Sequence, residues 1–364
     1  MTLSKQENAD QRSGLRLETI PFCETMPEEP PAPPARAIYG PVGDQRTAAR
    51  RYWITHPVDG LLNTVFHELL ARLPARFVSA FGHATADLAR LRYRNRIFAQ
   101  RIERNFYALT SSLGRNDQEQ QDGLKRWWRN IGRTMAEFSK ANHLWRGDHL
   151  QVQGSENLER AQELGKPLIF VSMHLGTWEA AFTAIHERLA TPSIGPFQPE
   201  PNRFTNRIVY RLRKRRNQYL FPPGQRSAIR LHKLLRSGAT SLTIFIDEVR
   251  DNQVHMPTFG RPLPDKGNAV VAIKLANAAG GTIVPFYLRR QNGPDFDLNI
   301  LPPLEPNTAD QTKRYDMKPT LQAFNDIFEP IVLDNIEHWY MLSELRLAPN
   351  FKRTLGEKHP TALS

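Results

Sequence analysis

The chain has a single cysteine, Cys23, in 364 residues. No intramolecular disulfide can form, and folding does not call for an oxidising compartment. Cys23 lies in a proline-rich stretch, a poor setting for a catalytic thiolate. The N-terminus lacks the apolar core of a secretory signal, and no uninterrupted apolar run reaches the ~18–20 residues that span a bilayer. The nearest candidate, 268 to 288, carries Lys274 and Gly280-Gly281 and reads as a soluble helix followed by a strand. There is no G-x-S-x-G elbow, no Walker A loop and no G-x-G-x-x-G. His67-Glu68 and His186-Glu187 begin like H-E-x-x-H but lack the second histidine, so zinc hydrolysis is unsupported. Other histidines outside the stretch at 168–182, among them His56, His83, His143, His149, His232, His255 and His338, have no metal-ligand spacing.

Acidic residues are also short: 49 Lys+Arg face 37 Asp+Glu, a net charge of +12. That excess suits a polyanionic partner such as phospholipid headgroups, an acidic carrier protein or nucleic acid, and equally a solvated basic surface. The expected setting is cytoplasmic, with attachment to a membrane surface. Residues 1–36 are polar and then proline-dense (Pro27 to Pro34), and read as a disordered tail. Residues 37–350 read as one domain, helical over 48–150 and α/β over 165–347, with 351–364 as a second tail. In the helical part, Leu61, Leu62, Val65, Phe66, Leu69 and Leu70 make one amphipathic face. Leu88, Leu91, Phe98, Ile102, Phe106 and Leu109 make another, with Arg90, Arg94, Arg101 and Arg104 outside it. Those arginines are a solvated face or a contact with anionic lipid.

The chemistry concentrates in 168–182. Leu168 to Ser172 is a short apolar run of the kind that forms a fully buried strand. After Gly176 the period becomes helical, with Trp178, Phe182, Ile185 and Leu189 on one side. His174 therefore sits at the carboxyl end of a strand and the entrance to a helix, where open α/β sheets place ligands. The positive end of that helix favours a neutral imidazole, the form a general base needs. His174 and Glu179 are five apart, so they meet only if His174 precedes the helix. A second buried strand, Leu242 to Ile246, ends in Asp247-Glu248, two acids that need partners. Asp247 pairs with the basic helix of 203–219 or serves His174.

His174-Leu-Gly-Thr-Trp-Glu179 resembles the H-x4-D/E motif of the glycerolipid acyltransferase superfamily. More narrowly it resembles the His-x-Gly-Asn-Trp-Glu motif of the bacterial lipid A late acyltransferases, the lauroyl/myristoyl transferase family. Further matches follow in order between about Arg51 and Leu347. Phe197-Gln198-Pro199 stands where the family has Tyr-Arg-Pro, so its first arginine is missing. Arg213 falls where the second is expected, with Arg215 two residues on. Asp247 matches the family's Asp-Gln and Glu248 departs from it. Phe259-Gly260, Pro285 and Glu337-His-Trp339 resemble the family's Phe-Phe-Gly, Val-Val-Pro and Pro-Glu-Gln-Trp. Members usually carry a hydrophobic anchor near the N-terminus, which this sequence lacks.

The resemblance implies a glycerolipid-acyltransferase-like α/β fold: a largely parallel sheet flanked by helices, with an N-terminal helical segment. It implies transfer of an acyl chain from a thioester, on acyl carrier protein or CoA, to a hydroxyl of a membrane glycolipid such as a lipid A precursor. His174 would be the base, with Glu179 or the Asp247-Glu248 pair holding it. N–H groups near Gly176, with Arg213, would stabilise the oxyanion. Trp178, Arg215, Glu248, Phe259 and Gly260 would line the substrate site. The reaction calls for no metal and no cofactor. Other acceptors (a lysophospholipid or another glycolipid) and a catalytically inactive basic lipid- or nucleic-acid-binding protein are the alternatives. The run Arg211 to Arg216 ranks low as a nucleic-acid patch because it lies within a periodic helix, so no nucleic-acid partner is expected. The expected location is the cytoplasmic face of the bacterial inner membrane.

Overall fold

A computed structural model describes residues 15–189, 191–306, 314–348 and 351. Among these residues five α-helices precede the first strand: α1 (Asp44–Arg50), α2 (His56–Arg72), α3 (Ala75–Tyr93), α4 (Ile97–Ser111) and α5 (Asp117–Glu137). Helix α5 starts with a capping box, in which Asn116 Oδ1 accepts from the Glu119 N–H and Glu119 Oε2 from the Asn116 N–H. Helices α3 and α5 cross backbone to backbone. A Cβ on Gly82 would lie 2.4 Å from the Gly132 carbonyl oxygen.

The chain then alternates: β1 (Leu150–Gln153), α6 (Ser155–Glu163), β2 (Leu168–Ser172), α7 (Trp178–Arg188), β3 (Ser193–Pro196) and α8 (Arg203–Lys214). It continues through β4 (Leu220–Phe221), α9 (Gln225–Arg236), β5 (Ser241–Phe245), β6 (Val249–Arg250) and β7 (Gln253–Val254). Last come α10 (Asn268–Ala279), β8 (Thr282–Arg290), β9 (Phe296–Ile300) and α11 (Met317–Asp334). Seven strands form one sheet in the order β1-β9-β8-β2-β5-β3-β4. Every pairing is parallel except β8 with β9. The largely parallel α/β sheet with a helical N-terminal segment agrees with expectation. Strand β9 is not at the edge, since β1 lies outside it.

The run 168–172 is wholly apolar or small because both faces of β2 are covered. Ile169 and Val171 join one apolar cluster, with α10 and α11, while Leu168 and Phe170 join another with α7. Ser172 of β2 is in register with Phe245 of β5. His174 and Asp247, each two residues further on, therefore leave the sheet at the same level.

The N-terminal tail needs a correction from residue 15 onward; 1–14 lie outside the described residues, as does nearly all of 351–364. Leu17 and Ile20 are buried, and the Tyr219 hydroxyl donates to the Ile20 carbonyl (3.1 Å). Phe22 packs on Tyr210 and Tyr219. Glu24 pairs with Arg226 and Arg230, and Glu29 with Arg207. Prolines have no N–H to satisfy, so this stretch can lie on the fold without strand or helix, held by its apolar and acidic side chains.

The amphipathic face of α2 also turns outward. Val58, Leu61, Leu62, Val65, Phe66 and Leu69 are exposed, as are Phe77, Phe81, Leu88 and Leu91 on α3. Ile102, Phe106 and Leu109, expected on the same face as Leu88, sit instead in the core on the separate helix α4. No helix among the described residues is long and apolar enough to cross a membrane.

Candidate active site

The turn after β2 is built so that a histidine can leave the sheet and a helix can begin. Gly176 has φ +58°, a conformation that favours glycine. Its N–H donates to the His338 carbonyl (3.1 Å), and its own carbonyl accepts from Thr134 Oγ1 of α5 (3.2 Å). The His174 carbonyl accepts from the Tyr340 N–H (3.0 Å), and Leu175 forms an antiparallel bridge with Trp339. The turn is thus clamped between the helical segment and the stretch after α11. The Gly176 N–H, expected to face an oxyanion, is already taken.

Asp247 is fully buried, and three N–H groups converge on it. His174 Nδ1 lies 2.7 Å from Oδ1, while Oδ2 accepts from the His174 backbone N–H and from Trp339 Nε1, both at 2.9 Å. A carboxylate only accepts, so Nδ1 carries the proton and Nε2 presents a lone pair. Nε2 has no partner among the described residues, and the imidazole is partly exposed at 19%. The ring is held between Phe245 (centroids 4.6 Å apart) and Trp178 (5.5 Å), and Trp178 packs on Tyr340 (4.7 Å). An imidazole whose tautomer is fixed by a carboxylate and whose other nitrogen is free can accept a proton.

Glu179, the other carboxylate of the motif, does not reach His174. It is buried and takes two hydrogen bonds from Arg213 (3.0 and 3.1 Å) and one from Arg216. Arg216 also donates to Gln218 and Asn142. Burial alone would raise the Glu179 carboxyl, but the two guanidiniums outweigh it and hold its pKa at about 2. Arg216 is itself lowered, first by burial and then by repulsion from Arg213. The two directions agree with two guanidiniums sharing one carboxylate. Arg213 also lies over the Phe197 ring (4.6 Å). Its Nε and Nη2 are taken by Glu179. Arg215, two residues on, is exposed and outside this cluster.

Glu248 turns away from His174. Its Oε1 accepts from the Asn268 N–H at the start of α10 (2.7 Å), and burial lifts its pKa to about 8 against the pull of that N–H. Phe259, at φ +47°, is buried against Trp339 (5.7 Å), and Gly260 follows at φ +77°. Phe259 thus supports the Trp339 side of the site, while Gly260 is exposed. Of the expected residues, then, the structure brings together His174, Asp247 and Trp178, with Gly176 shaping the turn.

Three participants were not anticipated. Trp339 binds Asp247. Arg290 of β8 and Glu137 of α5 form a buried pair (two bonds of 2.7 Å) that also receives the Thr177 hydroxyl (2.6 Å). A charge within the run Met135-Ala-Glu137-Phe138 was the available signal for Glu137. A groove of about 620 Å³ between α3, α4 and α5, lined by Arg90, Arg94, Lys125, Trp128 and Arg129 among others, does not include His174.

The model of the bacterial lipid A biosynthesis acyltransferase family matches residues 43–347. A comparison with curated proteins found no match.

Proposed function

The chain belongs to the bacterial lipid A biosynthesis acyltransferase family, and from that premise we propose that it moves an acyl chain from a thioester to a lipid hydroxyl with His174 as general base. The observation that carries this is the 2.7 Å bond from His174 Nδ1 to Asp247, which leaves Nε2 free at the opening. Nε2 removes the acceptor's hydroxyl proton as the oxygen attacks the thioester carbonyl carbon. Asp247 stabilises the imidazolium that forms. The tetrahedral oxyanion is met by first-turn N–H groups of α7, which carry the helix's partial positive charge. The C–S bond then breaks, and the leaving thiolate takes the proton from Nε2. Products are an ester and a free thiol, and the acyl group never resides on the protein. The donor is acyl carrier protein, whose acidity suits a +12 chain, or acyl-CoA. The acceptor is a hydroxyl of a lipid A precursor.

The chain meets its acceptor at an anionic membrane, which we assign to the cytoplasmic face of the inner membrane. Support comes from the exposed stripe on α2 (Val58, Leu61, Leu62, Val65, Phe66, Leu69), beside which α8 presents exposed Arg211, Lys214 and Arg215. Apolar side chains flanked by arginines suit a bilayer surface.

The test compares lipids by mass spectrometry from cells lacking the protein, complemented by wild type or by His174→Ala. The expected result is a lipid A that lacks one acyl chain, restored by wild type and not by the variant. Purified His174→Ala should lose roughly 10²–10⁴ in turnover while its unfolding midpoint is unchanged. Full restoration by His174→Ala would remove the catalytic reading and favour a lipid-binding protein.

A further inference from the structure

Trp339 has two kinds of contact with the catalytic pair, and no other of the described residues has both. Its indole Nε1–H donates to Asp247 Oδ2 (2.9 Å), on the oxygen not used by the imidazole. Its backbone bridges Leu175, with the flanking His338 carbonyl and Tyr340 N–H bonded to Gly176 and His174. Carboxylate and imidazole come from different strands, and Trp339 is tied to both. The Trp339 carbonyl in turn accepts from Trp127 Nε1 of α5 (2.8 Å), and its ring is fully buried against Phe259.

We propose that Trp339 is a positioning residue, whose indole N–H fixes the Asp247 carboxylate so that Oδ1 addresses His174 Nδ1. The inference rests on the reading of His174 and Asp247 as the base and its partner. Asp247 is fully buried, so the orientation of its carboxylate about χ2 is set by its donors. Two of them are on Oδ2: the His174 backbone N–H and the Trp339 indole. Without the indole the carboxylate loses one of three bonds and can swing its oxygens off the imidazole. The base is then present but misaligned in part of the population, and misalignment is felt in turnover more than in binding.

An N–H bond to a buried charged acceptor corresponds to about ten- to hundredfold in an equilibrium or rate. Trp339→Phe keeps an apolar ring and removes the donor. With the purified full chain, acyl carrier protein loaded with a fatty acid, and under-acylated lipid A precursor as acceptor, kcat should fall about ten- to hundredfold and KM should stay within about twofold. In an Asp247→Ala background the same change should cost under about twofold, because its route of action is gone. The downfield proton resonance of His174 Nδ1–H should also move in Trp339→Phe, a readout that needs no substrate.

Equal losses from Trp339→Phe with and without Asp247 would show a role in packing alone and overturn the proposal. If Trp339→Phe does not fold, the indole can be replaced by its benzothiophene isostere, which keeps the shape and puts sulfur in place of N–H. Full activity of that variant overturns the proposal, and a loss of kcat at unchanged KM supports it. Activity of His174→Ala and Asp247→Ala is measured alongside. If both remain active, it is the base reading that fails; if both are inactive while the isostere is active, only the role of Trp339 fails.

Discussion

Asp247 and Glu179 are both buried carboxylates at the carboxyl end of the sheet, one after β5 and one in the first turn of α7. They are satisfied in opposite ways. Glu179 is enclosed by Arg213 and Arg216, and Arg216 donates further to Gln218 and Asn142. Asp247 gives one oxygen to an imidazole whose far nitrogen is unpartnered and partly exposed. An ion cluster of this kind can hold elements together, here α7 to α8, but its carboxylate has no lone pair directed at the opening. The Asp247 cluster ends in a lone pair at the opening, and a proton can move there. Burial of a carboxylate therefore says little about its role until the last member of its chain of contacts is found.

Asp247→Asn breaks the open cluster with the largest expected effect. The Oδ2 position faces two donors, the His174 backbone N–H and Trp339 Nε1, so the amide oxygen takes that side. The amide NH₂ then faces His174 Nδ1 and donates to it. The imidazole proton moves to Nε2, and no lone pair remains for the acceptor hydroxyl. Turnover should drop by roughly 10²–10⁴ with acceptor KM and the unfolding midpoint little changed. Steady-state kinetics and thermal unfolding on the same preparation check this. A variant with near-wild-type turnover would mean that Asp247, too, is only structural.

Glu179→Ala should give the reverse pattern. Removing one partner of a buried pair leaves uncompensated charge and costs about 3–5 kcal/mol; here two guanidiniums are left. Urea unfolding should report that loss, while turnover per folded molecule stays within a few-fold of wild type. If activity is abolished in a variant that folds normally, the division between the two clusters is wrong.

Acid titration of stability sharpens the same division at smaller effect. The Glu179 carboxyl ordinarily titrates at 4.5 and is held at about 2 in the folded chain. The unfolded state therefore binds the proton first, and the contribution is full above 4.5 and lost as pH falls towards 2. His338 is lowered from 6.5 to about 4, by burial first and then by Arg290. It too is protonated first in the unfolded state, so its stability loss begins as pH falls below 6.5. Unfolding free energy should decline in both windows, and Glu179→Ala should flatten only the lower one. A decline that is unchanged in the variant would remove Glu179 as its source.

Strands β2 and β5 were legible because each is a short, continuous apolar run covered on both faces. Strands β1 (Leu-Gln-Val-Gln), β3 and β4 were not, being polar, proline-ended or two residues long. The strap at 15–36 was hidden by its proline content, although Leu17, Ile20 and Phe22 marked where it anchors. His174 stood out from its motif and its place between strand and helix. Its partner stayed open between Glu179 and the Asp247-Glu248 pair, because Glu179 is near in sequence whereas Asp247 is brought level only by the Ser172–Phe245 register. Helical spacing could have corrected the arginines. Residues three apart share a face, which joins Arg213 to Arg216 and leaves Arg215 on another side.

That split of one helix gives the smallest expected effect. Arg213 and Arg216 face inward to Glu179, while Arg215 is exposed beside α2, close enough that its charge lowers the His67 pKa after burial does. Arg215→Ala removes no buried contact, so stability should change by less than about 0.5 kcal/mol, and turnover on detergent-dispersed acceptor should be unchanged. If the outer face of α8 meets anionic lipid together with the α2 stripe, one basic residue near such a surface contributes about 1 kcal/mol. Binding to vesicles containing phosphatidylglycerol should then weaken about fivefold, and by less as salt screens the surface. Binding that is unchanged at low salt would detach Arg215 from the membrane reading. A loss of stability instead would place it with Arg213 and Arg216, inside the cluster from which its exposure separates it.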